Sequence, residues 1–313
     1  MKCKICDKGH LKHLDSAVKD YISSDEFELW RCDKCSSLQT VGDIQADYYG
    51  QAYYGSPDGK FSPLTEKVFR FFHSLKARKF YRKFQPESVL EVGCGRGYIL
   101  AILSKLGCKV VGIESAGAAD WILNNPDIKV HGVVDGELWP VEAQSVELVI
   151  IWHVFEHVTE PFEVLLEMKR ILTADGAICM SVPNVESFQS RLSWQNWFHL
   201  DVPRHHFHFT QTGIEEILGR AGMKVVRQEA GDFTQNLYGW FQTLSNMMIP
   251  GENNLMYRFL QGGNPWKSVN QKSLIILNFI LLPVIVPLGL LGFSLELITG
   301  KHGTVTYYIQ STE

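Results

Sequence analysis

Three glycines at alternate positions form the segment of this sequence best suited to bind a ligand. They lie in EVGCGRG at residues 91–97, after the apolar run 89–92 and before an apolar helical pattern that reaches Leu106. The order strand, glycine turn, helix lets the backbone approach a ligand with no Cβ atom in between. Amides at the start of such a helix favour polar or anionic groups. A dinucleotide-binding motif would be Gly-x-Gly-x-x-Gly, whereas here the third glycine comes one residue early.

Two acidic residues follow this motif at the ends of the next predicted strands. Glu114 ends the apolar run 108–113, 19 residues after Gly95, and an acid at that place can accept hydrogen bonds from both hydroxyls of a ribose. Asp135 follows a predicted third strand that ends at Val134, where its carboxylate could accept from an adenine amino group. The pattern therefore indicates a site for a ligand that contains a nucleoside.

The segments that must position these residues alternate between strand and helix. The sequence predicts a fourth strand over 146–152, a helix up to Leu172, a turn at Gly176, a fifth strand over 177–182, a helix over 210–221 and a sixth strand over 224–228. Such alternation predicts an α/β fold with a doubly wound sheet.

The glycine motif, the two acids and the HVFEH segment at 153–157 resemble the class I S-adenosylmethionine-dependent methyltransferases in order and approximate spacing, over roughly residues 86–230. Glu147 stands where the family usually has Asp, and Ala174-Asp175-Gly176 replaces its usual Pro-Gly-Gly turn. The resemblance implies a Rossmann-like doubly wound sheet that binds S-adenosylmethionine. The residues that it implies for cofactor binding are Glu91, Gly93, Cys94, Gly95, Gly97, Glu114, Ser115, Asp135, Gly136, Trp152 and His153. An α/β domain without a cofactor is the alternative.

Four of the seven cysteines form two Cys-x-x-Cys pairs, Cys3 with Cys6 and Cys32 with Cys35. Two such pairs can supply the four thiolates of a closed structural zinc site, which has no open position for a substrate. Two disulfides or free thiols are the alternatives. The polar start of the chain predicts no secretory signal peptide, and the cysteine usage suits a reducing compartment.

The HVFEH segment also fits the His-x-x-Glu-His pattern of one metalloprotease class, which requires both histidines on a continuous helix. Here the first histidine ends a predicted strand, so this alternative is disfavoured. We expect Trp152 and His153 to line the pocket near the methionine part of the cofactor, and Glu156 and His157 to begin the next helix.

An aromatic and histidine-rich segment lies within 185–210, after the fifth strand, where class I methyltransferases commonly insert elements that recognise the substrate. Its Asp201-x-Pro203-Arg204-His205 core resembles a segment of bacterial methyltransferases in this branch. Arg204 could pair with an anionic group of the acceptor, and His205, or His153 across the pocket, could take a proton during methylation. In the alternative, Arg204 forms a structural salt bridge and the histidines cap turns.

Two further segments precede the catalytic domain. Residues 46–62 carry the tyrosine pairs 48–49 and 53–54, which are predicted either to cover the cofactor as a lid or to pack the zinc ribbon onto the domain. Residues 63–84 are predicted to form a basic helix that begins near Pro63. Its basic face is interpreted as solvated, with a surface for anionic lipid or phosphate as the alternative.

Residues 274–298 are almost entirely apolar and long enough to span a bilayer. Because Pro283, Pro287, Gly289 and Gly292 would break a straight helix, the sequence predicts a broken hairpin that dips into one leaflet. Lys267, Lys272 and Lys301 would then keep both ends in the same interface. A full span and a buried core or dimer interface are the alternatives.

The predicted organisation is a zinc ribbon at 1–45, a lid or linker at 46–85, a methyltransferase domain at 86–230 and a C-terminal region at 231–313. A net charge of −4 gives no general case for nucleic-acid binding. We therefore expect a methyltransferase on the cytoplasmic face of a membrane that acts on a small-molecule or lipid-linked acceptor, such as a glycan intermediate or a quinone precursor. Alternatives are a sugar C-methyltransferase and a non-catalytic cofactor-binding scaffold. The oligomeric state stays open.

Overall fold

A seven-stranded mixed sheet forms the centre of the protein, which we describe from a computed structural model covering residues 1–44, 62–134, 136–249, 251, 253–261 and 269–312. Its strands are β4 Ser88–Val92, β5 Lys109–Ser115, β6 Lys129–Val133, β7 Val146–Trp152, β8 Leu172–Pro183, β10 Met223–Ala230 and β11 Thr304–Ser311. Their order in the sheet is β10-β11-β8-β7-β4-β5-β6. All neighbouring strands are parallel except β11, which is antiparallel to both β10 and β8.

The helices of this domain are α1 Pro63–Phe84, α2 Tyr98–Lys105, α3 Asp120–Leu123, α4 Pro161–Ile171, α5 Phe188–Ser193, α6 Gln211–Arg220, α7 Phe233–Met248, α8 Leu255–Leu260 and α9 Val269–Thr299. Helices α1, α2, α4 and α6 lie where the sequence predicted helices, whereas α3, α5, α7 and α8 were not predicted, and Glu156 and His157 lie in a turn before α4 and do not begin it. Thr210 caps α6, since its side-chain oxygen accepts from the N–H of Gly213 at 3.0 Å. One predicted turn is wrong. Gly176 lies inside β8, which begins directly after α4. The pairing of β8 with β7 shifts its register between Val146 and Leu148, so the residues around Gly176 form an irregularity within the strand and not a separate turn.

Strand β11 was not anticipated from the sequence. The backbone N–H of Gly231 donates to the carbonyl of Thr304 at 2.9 Å, so the chain leaves the sheet after β10 and returns to the same place. Helices α7, α8 and α9 are therefore an insertion between two neighbouring strands, and the sheet extends beyond residue 230, where the sequence analysis ended the domain.

The N-terminal segment forms a second, four-stranded sheet of β1 Leu11–Lys19, β2 Glu26–Cys32, β3 Leu38–Val41 and β9 Phe207–His208. Strand β9 belongs to the histidine-rich segment and pairs antiparallel with β3. The ribbon also contacts the main domain through Lys4 and Glu160, whose charged groups lie 2.7 Å apart. The ribbon and the predicted substrate segment thus form one unit.

Three basic side chains of helix α1 form ion pairs with other elements of the main domain. Lys76 forms an ion pair with Asp232, and Lys79 and Lys83 lie 2.9 and 3.3 Å from the carboxylate of Glu229. These contacts dock α1 onto β10 and the start of α7. The lid tyrosines at 48–49 and 53–54 lie outside the described residues.

Helix α9 is continuous over 31 residues, although it contains Pro283 and Pro287. The prediction of a broken hairpin is therefore wrong. A Cβ atom on Gly289 would lie 2.4 Å from the ring of Phe241, and one on Gly292 would lie 2.7 Å from the ring of Trp240. The two glycines let α9 pack closely against α7 and do not break it.

Candidate functional site

A cavity of about 1190 Å³ opens at the carboxyl ends of β4, β5 and β7. This is the edge of an open α/β sheet where ligands bind, and the volume is large enough for a cofactor together with an acceptor. The glycine turn and the ends of β5 and β7 form its floor, while α1, the ribbon and the inserted helices α7 and α8 form its walls.

The glycine turn at residues 93–97 has a backbone that favours glycine. Gly93, Gly95 and Gly97 have φ angles of 66°, 48° and 68°, in the left-handed region that L side chains rarely adopt. A Cβ atom on Gly93 or Gly97 would lie within 2.4 Å of a core side chain, whereas one on Gly95 would meet no described protein atom within 4 Å. Gly95 therefore presents bare backbone to the cavity.

Glu114 joins the end of β5 to this turn. Its carboxylate accepts from the N–H of Gly95 at 2.8 Å and from the N–H of Ser115 at 2.9 Å. Both bonds hold the carboxylate at the cavity wall next to the bare backbone of Gly95. Its predicted contact with a ribose stays a prediction.

Glu91 is a buried carboxyl group at the cavity floor. Its Oε2 atom has no hydrogen-bond partner among the described residues. Burial raises the pKa of Glu91 to about 8, and Lys76 opposes this shift while Glu114 adds to it. A buried carboxyl group of this kind fits a cationic or hydrogen-bond-donating part of a ligand. The amino group of S-adenosylmethionine has that chemistry.

Trp152 ends β7, His153 follows it, and both residues line the cavity, while their contact with the methionine part of the cofactor stays a prediction. The indole N–H of Trp152 donates to Asp232 at 3.2 Å, and the Lys76 ammonium lies 4.2 Å from the Trp152 ring centre. Although burial opposes it, Lys76 lowers the pKa of Asp232 far below its usual value. These contacts fix the orientation of the Trp152 indole. The neighbouring His153 also lies at the cavity wall.

His153 has a strained backbone, with φ of 55°. Its N–H donates to the carbonyl of Ser181 at 2.9 Å, which holds the residue in that conformation. The Nε2 atom is buried and has no hydrogen-bond partner among the described residues. Strained backbones of this kind cluster at functional sites.

Arg204 and His205 do not line the cavity, and their predicted catalytic roles do not fit this placement. The Arg204 guanidinium is 1% exposed, donates to Asp20 and Asp201 at 2.7 Å each, and lies over Tyr21. The Nδ1 atom of His205 contacts the carbonyl of His199 at 2.8 Å. Burial and neighbouring histidines keep the pKa of His205 well below its usual value. The structural alternative therefore describes Arg204.

The cavity also contains residues that the sequence analysis did not assign to it. His206 and Thr40 lie in the wall formed by the ribbon and the histidine-rich segment, His157 lies in the turn after β7, and Tyr238 and Tyr257 come from α7 and α8. Among these five residues, only His157 had a signal in the sequence, namely its place after Glu156 in the HVFEH segment. Of the predicted cofactor residues, Asp135 lies outside the described residues, and Gly97 and Gly136 do not line the cavity.

The four ribbon cysteines come together as predicted. Their sulfur atoms all lie within 4.8 Å of one another, with 3.8 Å between Cys3 and Cys35 and 3.6 Å between Cys6 and Cys32. Two thiolates on one tetrahedral zinc ion are separated by about 3.8 Å. The hydrogen bond between Cys3 and Cys35 holds the pKa of Cys35 below its usual value. The cluster is compatible with zinc.

A family model described as Methyltransferase domain matches residues 64–228. A Mycolicibacterium smegmatis protein described as "Probable S-adenosylmethionine-dependent methyltransferase" is 26% identical over 159 residues, which cover 49% of this chain and 58% of that protein. A ubiquinone biosynthesis O-methyltransferase of Cereibacter sphaeroides is 23% identical over 223 residues, which cover 63% of this chain and 88% of that protein. A solved structure of a SAM-dependent methyltransferase from Archaeoglobus fulgidus, 23% identical, aligns over 51% of this chain and 72% of that chain with a TM-score of 0.44.

Proposed function

We propose that the chain, which belongs to the class I S-adenosylmethionine-dependent methyltransferases, methylates an acceptor delivered at a membrane surface. The observation that carries the proposal is the inserted helix α7. One part of α7 lines the cavity with Tyr238, and another part packs against the apolar helix α9. A single rigid element thus connects the reaction site to a surface suited to lipid.

S-adenosylmethionine supplies a methyl group on a positively charged sulfur. The chain would bind it through the bare backbone of Gly95 and the carboxylates of Glu91 and Glu114, with Trp152 at the methionine end. Binding in this cavity places both substrates in one geometry, which accounts for much of the rate enhancement of a transfer reaction. The four ribbon cysteines would hold a structural zinc ion.

Replacing Gly95 by Val should weaken cofactor binding by at least about tenfold, or roughly 1.4 kcal/mol. The branched side chain would occupy the space that the ligand needs. Glu114→Ala should have a similar effect because it releases the turn and removes the ribose acceptor. Calorimetry with S-adenosylmethionine measures both.

Gly107→Val is the matched control for Gly95→Val. Gly107 also has a positive φ, of 96°, and a Cβ atom there would meet no described protein atom within 4 Å, but the residue does not line the cavity. It therefore carries the backbone strain without the ligand clash. Wild-type affinity in both Gly95→Val and Glu114→Ala would contradict the assignment.

His153 is the proposed base when the acceptor must lose a proton. His153→Ala should lower turnover by about a hundredfold while cofactor affinity stays unchanged, since general-base catalysis contributes about 10²–10⁴-fold. His131→Ala, on β6 and outside the cavity lining, is the control. Turnover that falls equally in both variants, or in neither, would exclude this role.

The acceptor side of the cavity is aromatic. Phe198 lies 5.3 Å from Tyr238 and 5.4 Å from Tyr257 between ring centres, and Phe69 and Phe72 of α1 also line this side. Such a wall favours an aromatic or otherwise apolar acceptor over a nucleotide sugar. A phenolic quinone precursor fits, and the Cereibacter relative is by name a ubiquinone biosynthesis O-methyltransferase.

The acceptor class can be tested with methyl-labelled S-adenosylmethionine and cell extracts separated into lipid and water-soluble fractions. We expect the wild-type protein to transfer label to a lipid-extractable product and His153→Ala to transfer far less. Label recovered only on a water-soluble sugar would favour the sugar methyltransferase alternative. No label in either fraction would favour the non-catalytic scaffold.

Helix α9 supports the membrane part of the proposal. Within its segment Lys272–Thr299, an 18-residue stretch has a mean hydropathy of 2.7, and 22% of that stretch is buried, whereas a core helix would be mostly buried. The buried residues form one stripe along the face that packs on α7, and they are Ile275, Asn278, Ile285, Gly289, Gly292 and Glu296. Most of the remaining surface is apolar and exposed. We therefore propose that α9 lies in the membrane interface beside α7.

Replacing Ile280, Leu291 and Ile298 by Glu should release the protein from lipid vesicles. All three side chains are exposed, so the stripe that packs on α7 stays intact and cofactor binding should be retained. Vesicle flotation measures the bound fraction. The matched control replaces the exposed Ile22, Leu138 and Val226 by Glu, away from α9. A wild-type protein that is monodisperse without detergent and does not float with vesicles would contradict the membrane proposal.

A further inference from the structure

Glu156 is a buried acid that the proposed methyl transfer does not use. Its side chain is 1% exposed, and neither carboxylate oxygen has a hydrogen-bond partner among the described residues. Burying a carboxylate without a compensating partner is strongly unfavourable, so buried charges are paired or bind metal ions. The groups around Glu156 indicate how its charge is balanced.

Two imidazoles are placed next to this carboxylate at distances too long for hydrogen bonds. The Oε1 atom of Glu156 lies 3.9 Å from Nε2 of His205 and 3.6 Å from Nδ1 of His153. A direct N–H···O bond would require about 2.7–3.2 Å. Neither imidazole is therefore a direct hydrogen-bond partner of the carboxylate.

The contact of the other ring nitrogen of His205 shows which nitrogen carries the proton. Nδ1 of His205 lies 2.8 Å from the carbonyl of His199, and a carbonyl can only accept, so Nδ1 carries the proton. In the neutral ring, Nε2 then presents a lone pair to the carboxylate. An Nε2–H that donated to the carboxylate would bring the two atoms to about 2.7–3.2 Å, whereas they lie 3.9 Å apart. Two acceptors therefore face each other.

His157 has the same orienting contact. Its Nδ1 lies 3.0 Å from the carbonyl of Arg204, which places the proton on Nδ1 and the lone pair on Nε2. Histidines that bind metal ions usually donate their other N–H to a carbonyl or carboxylate in this way. One ligand atom from each of Glu156, His157 and His205 lies within 4.8 Å of the others.

We propose that Glu156, His157 and His205 bind a divalent transition-metal ion, in addition to the ion expected at the ribbon cysteines. Two nitrogen or oxygen ligands at about 2.1 Å from one ion are about 3.4 Å apart at a tetrahedral angle, and the separation increases towards about 4.2 Å as the angle widens to 180° in geometries of higher coordination number. The 3.9 Å between Glu156 and His205 falls within this range. Two imidazoles and one carboxylate are typical ligands of zinc and non-haem iron(II).

The site lies in the wall of the cavity. His157 lines the cavity, whereas Glu156 and His205 do not. The ion would connect the turn after β7 to the segment around residues 201–205, which Arg204 already anchors to the ribbon. It would therefore fix the position of the histidine-rich wall relative to the sheet.

Metal content of the full-length protein tests the proposal. After anaerobic incubation with zinc, iron(II) or cobalt(II) and removal of excess ion, wild-type protein should hold two metal ions per chain. Glu156→Gln and His205→Gln should each hold one. The control is His208→Gln, which removes a buried imidazole 6.1 Å from the His205 ring that is not part of the ligand set. It should retain two.

Cobalt(II) spectra distinguish loss of this site from unfolding. The ribbon cysteines give intense thiolate-to-metal charge-transfer bands, which should persist in Glu156→Gln and His205→Gln, while the weaker absorption of the nitrogen and oxygen site disappears. One ion per chain in the wild type, or two ions in both variants, would overturn the proposal. Because neither measurement uses S-adenosylmethionine or an acceptor, two bound ions would stand even if no methyl transfer were found.

Discussion

Arg204→Ala should lower the free energy of unfolding by about 3–5 kcal/mol, the usual cost of breaking a buried ion pair. The guanidinium lies between Asp20 and Asp201, and the Asp20 side chain is fully buried. Removing Arg204 leaves this carboxylate uncompensated. The effect should therefore appear in stability, whereas the sequence favoured a role in binding the acceptor.

Urea unfolding of the zinc-loaded protein measures this loss, and Arg227→Ala provides the control. The Arg227 side chain is 63% exposed and lies 2.9 Å from Glu229, which keeps Lys79 and Lys83 as partners without it, so the loss should be about 0–1 kcal/mol. Although burial opposes it, Arg204 lowers the pKa of Asp20. The stabilisation should thus be present above the usual aspartate pKa of about 4 and be lost as pH falls through the depressed value. Unchanged stability with a raised Michaelis constant for the acceptor would restore the substrate role.

Replacing Cys32 and Cys35 together by Ser should unfold the ribbon. Structural zinc supplies about 10–16 kcal/mol of binding free energy in short domains, and the predicted ribbon comprises only residues 1–45. Limited proteolysis within residues 1–44 and loss of the thiolate-bound metal ion report the change. Because Thr40 donates to the carbonyl of His205 at 2.6 Å, the histidine-rich wall should loosen as well.

Cys108→Ser is the control for this experiment. Cys108 is buried like the ribbon cysteines, but its thiol donates to the carbonyl of Pro86 at 3.1 Å in the main domain. It should leave ribbon and metal content unchanged. Full metal occupancy and wild-type protease resistance after both ribbon substitutions would contradict a zinc-dependent ribbon.

The sequence by itself determined the features that depend on neighbouring residues. Hydrophobic periodicity located β4, β5, β7 and α2 within one or two residues, because strand and helix periods are local properties. Gly93, Gly95 and Gly97 indicated a tight turn, whose φ angles are positive in the structure, and the apolar run before Glu114 indicated that this acid ends a strand, where its carboxylate accepts from the N–H of Gly95. The two Cys-x-x-Cys pairs identified the thiolate cluster for the same reason, since each pair is a local turn.

Only the tertiary structure decided the features that depend on distant partners. Arg204 donates to Asp20, which lies 184 residues earlier in the chain. The arginine of the predicted substrate segment therefore forms a buried ion pair. Strand β11 pairs with β8 and β10 across the long insertion of α7–α9, and Gly289 and Gly292 serve packing against two rings of α7. Local patterns record whether a residue is apolar, charged or flexible. They do not record which distant surface covers it, and burial sets both the cost of a charge and the role of a histidine.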